Sequence, residues 1–474
     1  MVILLLATTV AIGYLLTALA LAIPTGELTP RWALCLLKFA LGGGGVALVS
    51  LLFFVLLLLH MASLVVMLLV EAALLLTSAA LVFARRRPKT PGKPCRRTAV
   101  FWWYWPLGGA LVFAVLLVSA AMVHTAQTNP YGFWDAFLEW NLRAKYLAGP
   151  DETWIRAFSP QLASVHPDYP LLLSGFIAHL RKFSGGEISP LAPILTAVMF
   201  AASVLALLVS AVAIARGTGS ALLAGLILMT SSSFLMQPMA QYADVPLSFY
   251  YLATLVLVFL SATLEGIFHK VVLVAMAGAF ASFAAWTKNE GLIFFFLSIG
   301  CYWLVSLRRC SGVGPSMAPW WYFLIGAMPG LLAVGYFKVF LAPLNDLAGQ
   351  TPVQALHKMV EADRYVRIGK SLVSEALRLG DWRANPLLLL AILAIALRFR
   401  IDRSQIRPIL AIGLTLASLF AAYCGVYIVT PLDLRWHLNT SLDRLYAQMW
   451  PTFLFLMFLA LDAPEVNFSA SPKV

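Results

Sequence analysis

The sequence predicts an all-α, polytopic integral membrane protein with about 13 transmembrane helices. Hydrophobic residues make up 61% of the 474 and charged residues only 11%, where soluble proteins sit near one half and one quarter. The apolar residues also fall into runs of roughly 15 to 25, the length needed to cross a hydrocarbon core about 30 Å thick. A net charge of +12, from 33 Lys+Arg and 21 Asp+Glu, could signal nucleic acid. The basic residues form no soluble module, however, and no nucleic-acid partner is expected.

The elements follow in order. Residues 1–23 are apolar without the basic start of a secretory signal, so they read as a retained span. Residues 33–84, interrupted only by Lys38, His60 and Glu71, hold two more spans with a turn near His60. Glu71 and Lys38 are deep enough to pair with each other. The run Gly42 to Gly45 has no strand before it, which assigns it to helix packing or helix breaking rather than phosphate binding. Residues 1–84 thus form an amino-terminal module of about three spans. The basic loop 85–100 follows, its prolines forbidding helix. Further spans are predicted at 101–123, 190–215, 221–236, 245–264, 271–286, 291–307, 320–343, 385–398, 408–429 and 446–461, with residues 462–474 as a cytoplasmic tail. Cys35, Cys95, Cys301, Cys310 and Cys424 show no C-x-x-C and no metal-ligand spacing, so neither disulfide nor zinc is expected.

Sidedness rests on the basic residues, since cytoplasmic loops collect Lys and Arg. Loops 85–100, 216–220, 265–270, 308–319 and 398–407 carry 15 basic residues against two acids, Glu265 and Asp402. The opposite loops hold 15 of the 21 acids, and three of them, 124–189, 344–384 and 430–445, are assigned outward. Loops of the length of the first two usually carry function.

The string WDAFLEWNLRAKYL puts Trp134, Phe137, Trp140, Ala144 and Leu147 on one helical face and Asp135, Glu139, Arg143 and Tyr146 on the other. It predicts an amphipathic helix lying on the membrane, with aromatics at headgroup level and Glu139 paired to Arg143 at i, i+4. Next, HPDYPLLL brackets Asp168 and Tyr169 between prolines beside His166. Asp244 in QYADVP, the run Lys288, Asn289 and Glu290 in TKNEG, and Arg435, His437 and Arg444 in RWHLNTSLDRLYAQMWP stand at outer span ends or in the last outer loop. Asn439-Thr-Ser fits a glycosylation sequon. Carboxylates and cations from five segments thereby meet one membrane face. A carboxylate can take a hydroxyl proton while Lys, Arg and His neutralise a departing lipid phosphate.

These strings, with YADVPLSFYYLATL and TKNEGLIFF, resemble the C-type glycosyltransferases, in the bacterial branch related to protein mannosyltransferases and the lipid A aminoarabinose transferase. The resemblance covers roughly 101–461. It implies a hexosyl or pentosyl transferase of the bacterial inner membrane, acting at the outer, periplasmic face. The enzyme would move a sugar from a polyprenyl-phosphate donor to a glycan, lipid or protein acceptor, with inversion. Asp135 would be its catalytic base. Lys288, Arg435, His437 and Arg444 would bind the donor phosphate, and Glu139, Arg143, His166, Asp168, Asp244 and Glu290 would position substrate. Many relatives carry an adjacent Asp-Glu pair, whereas here Ala136 follows Asp135, so a divalent metal is compatible with the site but not implied by it.

Two other readings use the same chain. An O-antigen ligase or polymerase would work through Lys358, Arg364, Arg367, Lys370, Arg378 and Arg383 of loop 344–384. A transporter or lipid flippase would instead place ionisable residues near the bilayer midplane and show repeated halves.

Overall fold

The structure, a computed structural model, describes residues 1–21, 30–84, 101–150, 153–184, 189–263, 267–307, 318–345, 349–379 and 385–465. The basic loop 85–100, Cys95, Cys310, Glu265, Arg383 and most of the expected tail lie outside the described residues.

The described chain is helical throughout, with one isolated bridge between Phe399 and Leu461. It opens with α1 (Val2–Ala20), α2 (Arg31–Leu41), α3 (Gly45–Leu58) and α4 (Leu64–Ala84), and continues through α5 (Tyr104–Thr128), α6 (Leu142–Leu147) and α7 (Leu172–Lys182). The central run is α8 (Leu191–Arg216), α9 (Thr218–Thr230), α10 (Ser232–Met239), α11 (Asp244–Thr263), α12 (Ile267–Thr287), α13 (Asn289–Ser306) and α14 (Trp321–Tyr336). The last five helices are α15 (Pro352–Val360), α16 (Ala362–Arg378), α17 (Pro386–Leu397), α18 (Ile406–Val429) and α19 (Leu434–Ala460).

Among the described residues, ten helical segments are long and apolar enough to cross a membrane, or eleven if one bent pair counts as a span. Thirteen were expected, and each of the three discrepancies has a local cause. The 221–236 run is broken into α9 and α10, which meet at 67°. At that break the hydroxyls of Thr230 and Ser231 both bond the Ile227 carbonyl, at 2.9 and 3.1 Å, competing with the helical ladder. The 385–398 run forms only the 12 residues of α17; at about 1.5 Å per residue it is too short for the hydrocarbon core. The 446–461 run is the apolar half of α19, whose 27 residues begin with a polar half bearing Arg435, His437 and Arg444.

Helix α11 is the centre of the bundle, buried along almost its whole length among α8, α12, α13, α18 and α19. The glycine run packs helices closely: α2 and α3 join through a tight turn at Gly42–Gly44 into one 28-residue span. A Cβ on Gly45 would stand 2.4 Å from the Thr9 carbonyl of α1, so only glycine permits that approach. The α2–α3 span also packs on α7 and α8.

Polar groups gather at the two ends of the bundle. At one end Arg216 meets Asp402 (3.8 Å), Arg400 meets Asp462 (3.4 Å), and Glu465 accepts from the Tyr104 hydroxyl and the Gly219 amide, both at 2.7 Å. At the other end lies the network described next.

Candidate functional site

The site is assembled from helix ends. Asp135 precedes a π-helical turn, Ala136–Asn141, that runs into α6. Asp244 opens α11, Lys288 sits in the extended link between α12 and α13, and Arg444 projects from the polar half of α19. Arg444 joins two carboxylates. Its Nε donates to Asp244 Oδ2 at 3.1 Å and its Nη2 forms an ion pair with the same oxygen at 3.0 Å, while Nη1 donates to Asp135 Oδ2 in a short bond. Its guanidinium carbon lies 4.6 Å from the centre of the Tyr242 ring. The other oxygen of Asp244 accepts from Lys288 Nζ at 3.0 Å and Gln448 Nε2 at 2.6 Å, and Lys288 also reaches Glu290 at 3.1 Å. Asp244 is therefore fully buried and saturated with donors, whereas the Asp135 side chain keeps 16% of its surface exposed.

A second node adjoins the first. Asn289 Nδ2 donates to Asp168 Oδ2 at 2.6 Å, and Lys338 Nζ donates to Asn289 Oδ1 and to the Asp168 carbonyl, each at 2.6 Å. The Tyr169 ring connects the two nodes, with Lys288 Nζ 5.6 Å from its centre on one side and Trp140 stacked at 5.9 Å.

The 134–147 segment departs from the surface helix expected of it. Trp134 and Phe137 are exposed, but Trp140, Ala144 and Leu147 are buried, and so are Glu139 and Arg143 on the opposite face. The cause is the 166–169 loop, which folds over the segment. Arg143 donates to the Tyr169 carbonyl at 2.7 Å and to the His166 carbonyl in a shorter bond. The expected Glu139–Arg143 pair is accordingly replaced by these backbone contacts. Burial, reinforced by nearby Asp135, pushes the Glu139 carboxyl up to about 8 against the opposing pull of Arg444, Lys288 and Arg143. Its Oε2 has no hydrogen-bond partner. Burial also lowers Arg143 to about 10.

Of the residues singled out from sequence, Asp135, Asp244, Lys288, Glu290 and Arg444 share one network, with Asp168 one residue away through Asn289. Glu139 lies in the electrostatic reach of the same groups. Arg143 and His166 hold the loop together through backbone contacts, and His166 occupies a left-handed turn conformation, φ 46°. Arg435 is exposed, and His437 Nδ1 is bonded to Thr430 Oγ1 at 2.9 Å. Both lie on turns of α19 roughly 10 to 13 Å along the axis from Arg444, so the structure does not bring them to the network. Sequence reasoning missed Lys338, Gln448 and Tyr242. Each left a signal: Lys338 is a lone cation in the apolar run GYFKVFL, Gln448 stands one turn after Arg444, and Tyr242 precedes Asp244 by two.

Loop 344–384 folds into α15 and α16, the first started by a reciprocal Thr351–Gln354 cap. Three of its cations are engaged by protein groups. Lys358 donates to the Thr430 carbonyl at 2.9 Å, Arg364 to the Tyr427 carbonyl at 3.1 Å, and Arg367 pairs with Asp363 at 2.6 Å. Lys370 and Arg378 are exposed. Among the described residues no group of three or more His, Cys, Asp or Glu is arranged to hold a metal ion, and Asp135 and Asp244 are bridged by a guanidinium.

No family model, no curated protein and no solved structure matches this chain.

Proposed function

We propose that the chain is a membrane glycosyltransferase that moves a sugar from a polyprenyl-phosphate donor to an acceptor hydroxyl at the outer face of the membrane. The observation that supports this most is the shared guanidinium of Arg444. Asp244 fixes its Nε and Nη2 from a buried position, which leaves Nη1 as the nitrogen that can change partner.

The chemistry follows from that exchange. A donor phosphate has the geometry to take Nη1 of Arg444 and to draw on Lys288, since planar and point cations both bind phosphoryl oxygens. Asp135 then loses its counter-ion and gains basicity. Its freed carboxylate accepts the proton of the acceptor hydroxyl as that oxygen attacks the anomeric carbon. The bond from that carbon to the phosphate oxygen breaks, and the departing lipid phosphate keeps the electron pair beside Arg444 and Lys288. Asn289 and Lys338 hold Asp168 and the 166–169 loop beside this network.

The test uses purified protein in nanodiscs, a polyprenyl-phosphate sugar and an acceptor mixture, with release of the lipid phosphate followed by mass spectrometry. Turnover that needs both Asp135 and Arg444 is the expected result. Absence of any turnover across hexosyl and pentosyl donors, with the lipid bound, would remove this reading.

A further inference from the structure

Glu71 and His179 form a buried pair outside the network, and nothing in the proposed chemistry uses them. Glu71 lies on α4, a helix otherwise largely exposed, whose buried positions are Met67, Glu71 and Ser78. Its carboxylate oxygen stands 3.1 Å from His179 Nε2 of α7, with the side chains 2% and 0% exposed. The sequence suggested Lys38 as the partner, but Lys38 is only half-buried on α2 and Glu71 faces α7 instead. The two side chains touch without hydrogen-bond alignment, and neither has a hydrogen-bond partner elsewhere. The rings of Phe53, Phe176 and Phe183 enclose the imidazole at 5.1 to 6.2 Å. A polar pair at this depth is expensive to keep, so its retention calls for a reason.

The reason lies in what α7 carries. Two residues after His179, Arg181 Nη1 donates to the Asn141 carbonyl at 3.2 Å, at the end of the π-helical turn that follows Asp135 and contains Glu139. Asn141 in turn donates to the Tyr131 carbonyl at 3.0 Å. At its other end α7 follows directly on Asp168 and Tyr169, and the Leu171 carbonyl there accepts from Ser50 of α3 at 3.3 Å. Helix α7 is thus a strut between the Asp168 loop at one end and the segment that follows Asp135 at the other, gripped by the amino-terminal helices at two points.

We propose that Glu71 is a positioning residue for the polar network, acting through His179 and α7 on the Asp135 segment; this rests on reading that network as the transfer site. The amino-terminal helices then belong to the working enzyme and set the placement of its base.

The test uses the full chain in nanodiscs. Glu71→Gln and His179→Asn are each expected to speed amide hydrogen exchange of residues 136–147 by about fivefold or more, the lower end of ordinary coupling between sites. Exchange in α11 should stay at the parent rate. In the transfer assay kcat should fall by a similar factor with KM for the donor lipid unchanged, because Lys288 and Arg444 are untouched. Combining Glu71→His with His179→Glu restores the pair in reverse and should recover both readouts. Unchanged exchange at 136–147, loosening spread evenly over the bundle, or local loosening without loss of kcat would each overturn the proposal. If the parent chain transfers no sugar, the glycosyltransferase reading fails, while the exchange measurement still decides whether Glu71 positions the segment.

Discussion

Asp135 and Asp244 share one guanidinium, but only Asp135 keeps exposed surface from which to meet a substrate. Asp135→Asn keeps size and hydrogen bonding but loses basicity, so donor lipid should still bind while transfer falls by about 10² to 10⁴, the usual contribution of general base catalysis. Asp168→Asn and Glu139→Gln should cost less. A dead Asp168→Asn beside a working Asp135→Asn would move the base to the second node. Lys288→Ala or Arg444→Ala removes charge-assisted bonds worth about 1.5 to 3 kcal/mol each, which at about 1.4 kcal/mol per decade weakens donor use tenfold or more. Unaltered donor kinetics in both variants would exclude a phosphate there. Glu139 adds a pH signature, because its carboxyl titrates near 8 when folded and near 4.3 in an unfolded chain. Between those values the folded state binds the extra proton, so this group's contribution to stability is greatest below about pH 4 and is lost as pH rises through about 8. Glu139→Gln mimics the neutral form, and its melting temperature should fall less than the parent's between pH 6 and 9. Parallel curves would show that Glu139 is not the titrating group. The acids and cations of this site were legible because charges at the ends of apolar runs stand out. Lys338 and Gln448 were not, since one lone cation or amide in a span reads equally as a snorkelling side chain.

Between elements, close packing decides where the second node stands. Helices α12 and α14 cross at a glycine pair: a Cβ on Gly278 would lie 1.9 Å from the Phe323 carbonyl, and one on Gly326 1.8 Å from the Ala275 carbonyl. With backbone on the other side neither can yield, so a methyl group must push the helices apart. Lys338, just past α14, would then withdraw from Asn289 at the start of α13. Gly326→Ala should therefore destabilise the protein by about 1 to 3 kcal/mol, read by thermal unfolding in detergent. Gly335→Ala on the same chain segment meets nothing within 4 Å and should be neutral or slightly stabilising, since alanine is the better helix former. Equal effects in the two variants would mean that the crossing is not held by the glycines. Hydropathy revealed both helices but not their contact, because the apolar pattern of a membrane helix points equally toward lipid and toward protein. The same limit hid α7, an 11-residue helix too short to register as a span, and with it the true partner of Glu71. It also hid the π-helical turn after Asp135, which has no sequence signature of its own.

Across the whole molecule, the helices sort the polar groups into two ends. Asp135, Asp168, Asp244, Lys288 and Arg444 gather at one end, all from outer span ends or segments expected outside. Arg216, Arg400, Asp402 and Asp462 meet at the other end, all from segments expected inside. The partition was readable because any charge left in mid-span costs several kcal/mol, which drives charged residues to the ends. Direction across the membrane is a separate matter, set by the excess of Lys and Arg in the loops between these ends. It predicts that the polar network faces outward and Arg85 to Arg97 faces the cytoplasm. An Arg156→Cys variant, at an exposed position in the first outer loop, should react with a membrane-impermeant maleimide in intact cells. Ile401→Cys, exposed at the opposite end, should react only after permeabilisation, each measured against the parent chain with its five native cysteines. The reverse pattern would turn the protein over and place the network against cytoplasmic substrates. An outer-face transfer from a lipid-linked donor would then be untenable whatever Asp135 does, because no acceptor on the far side could reach it.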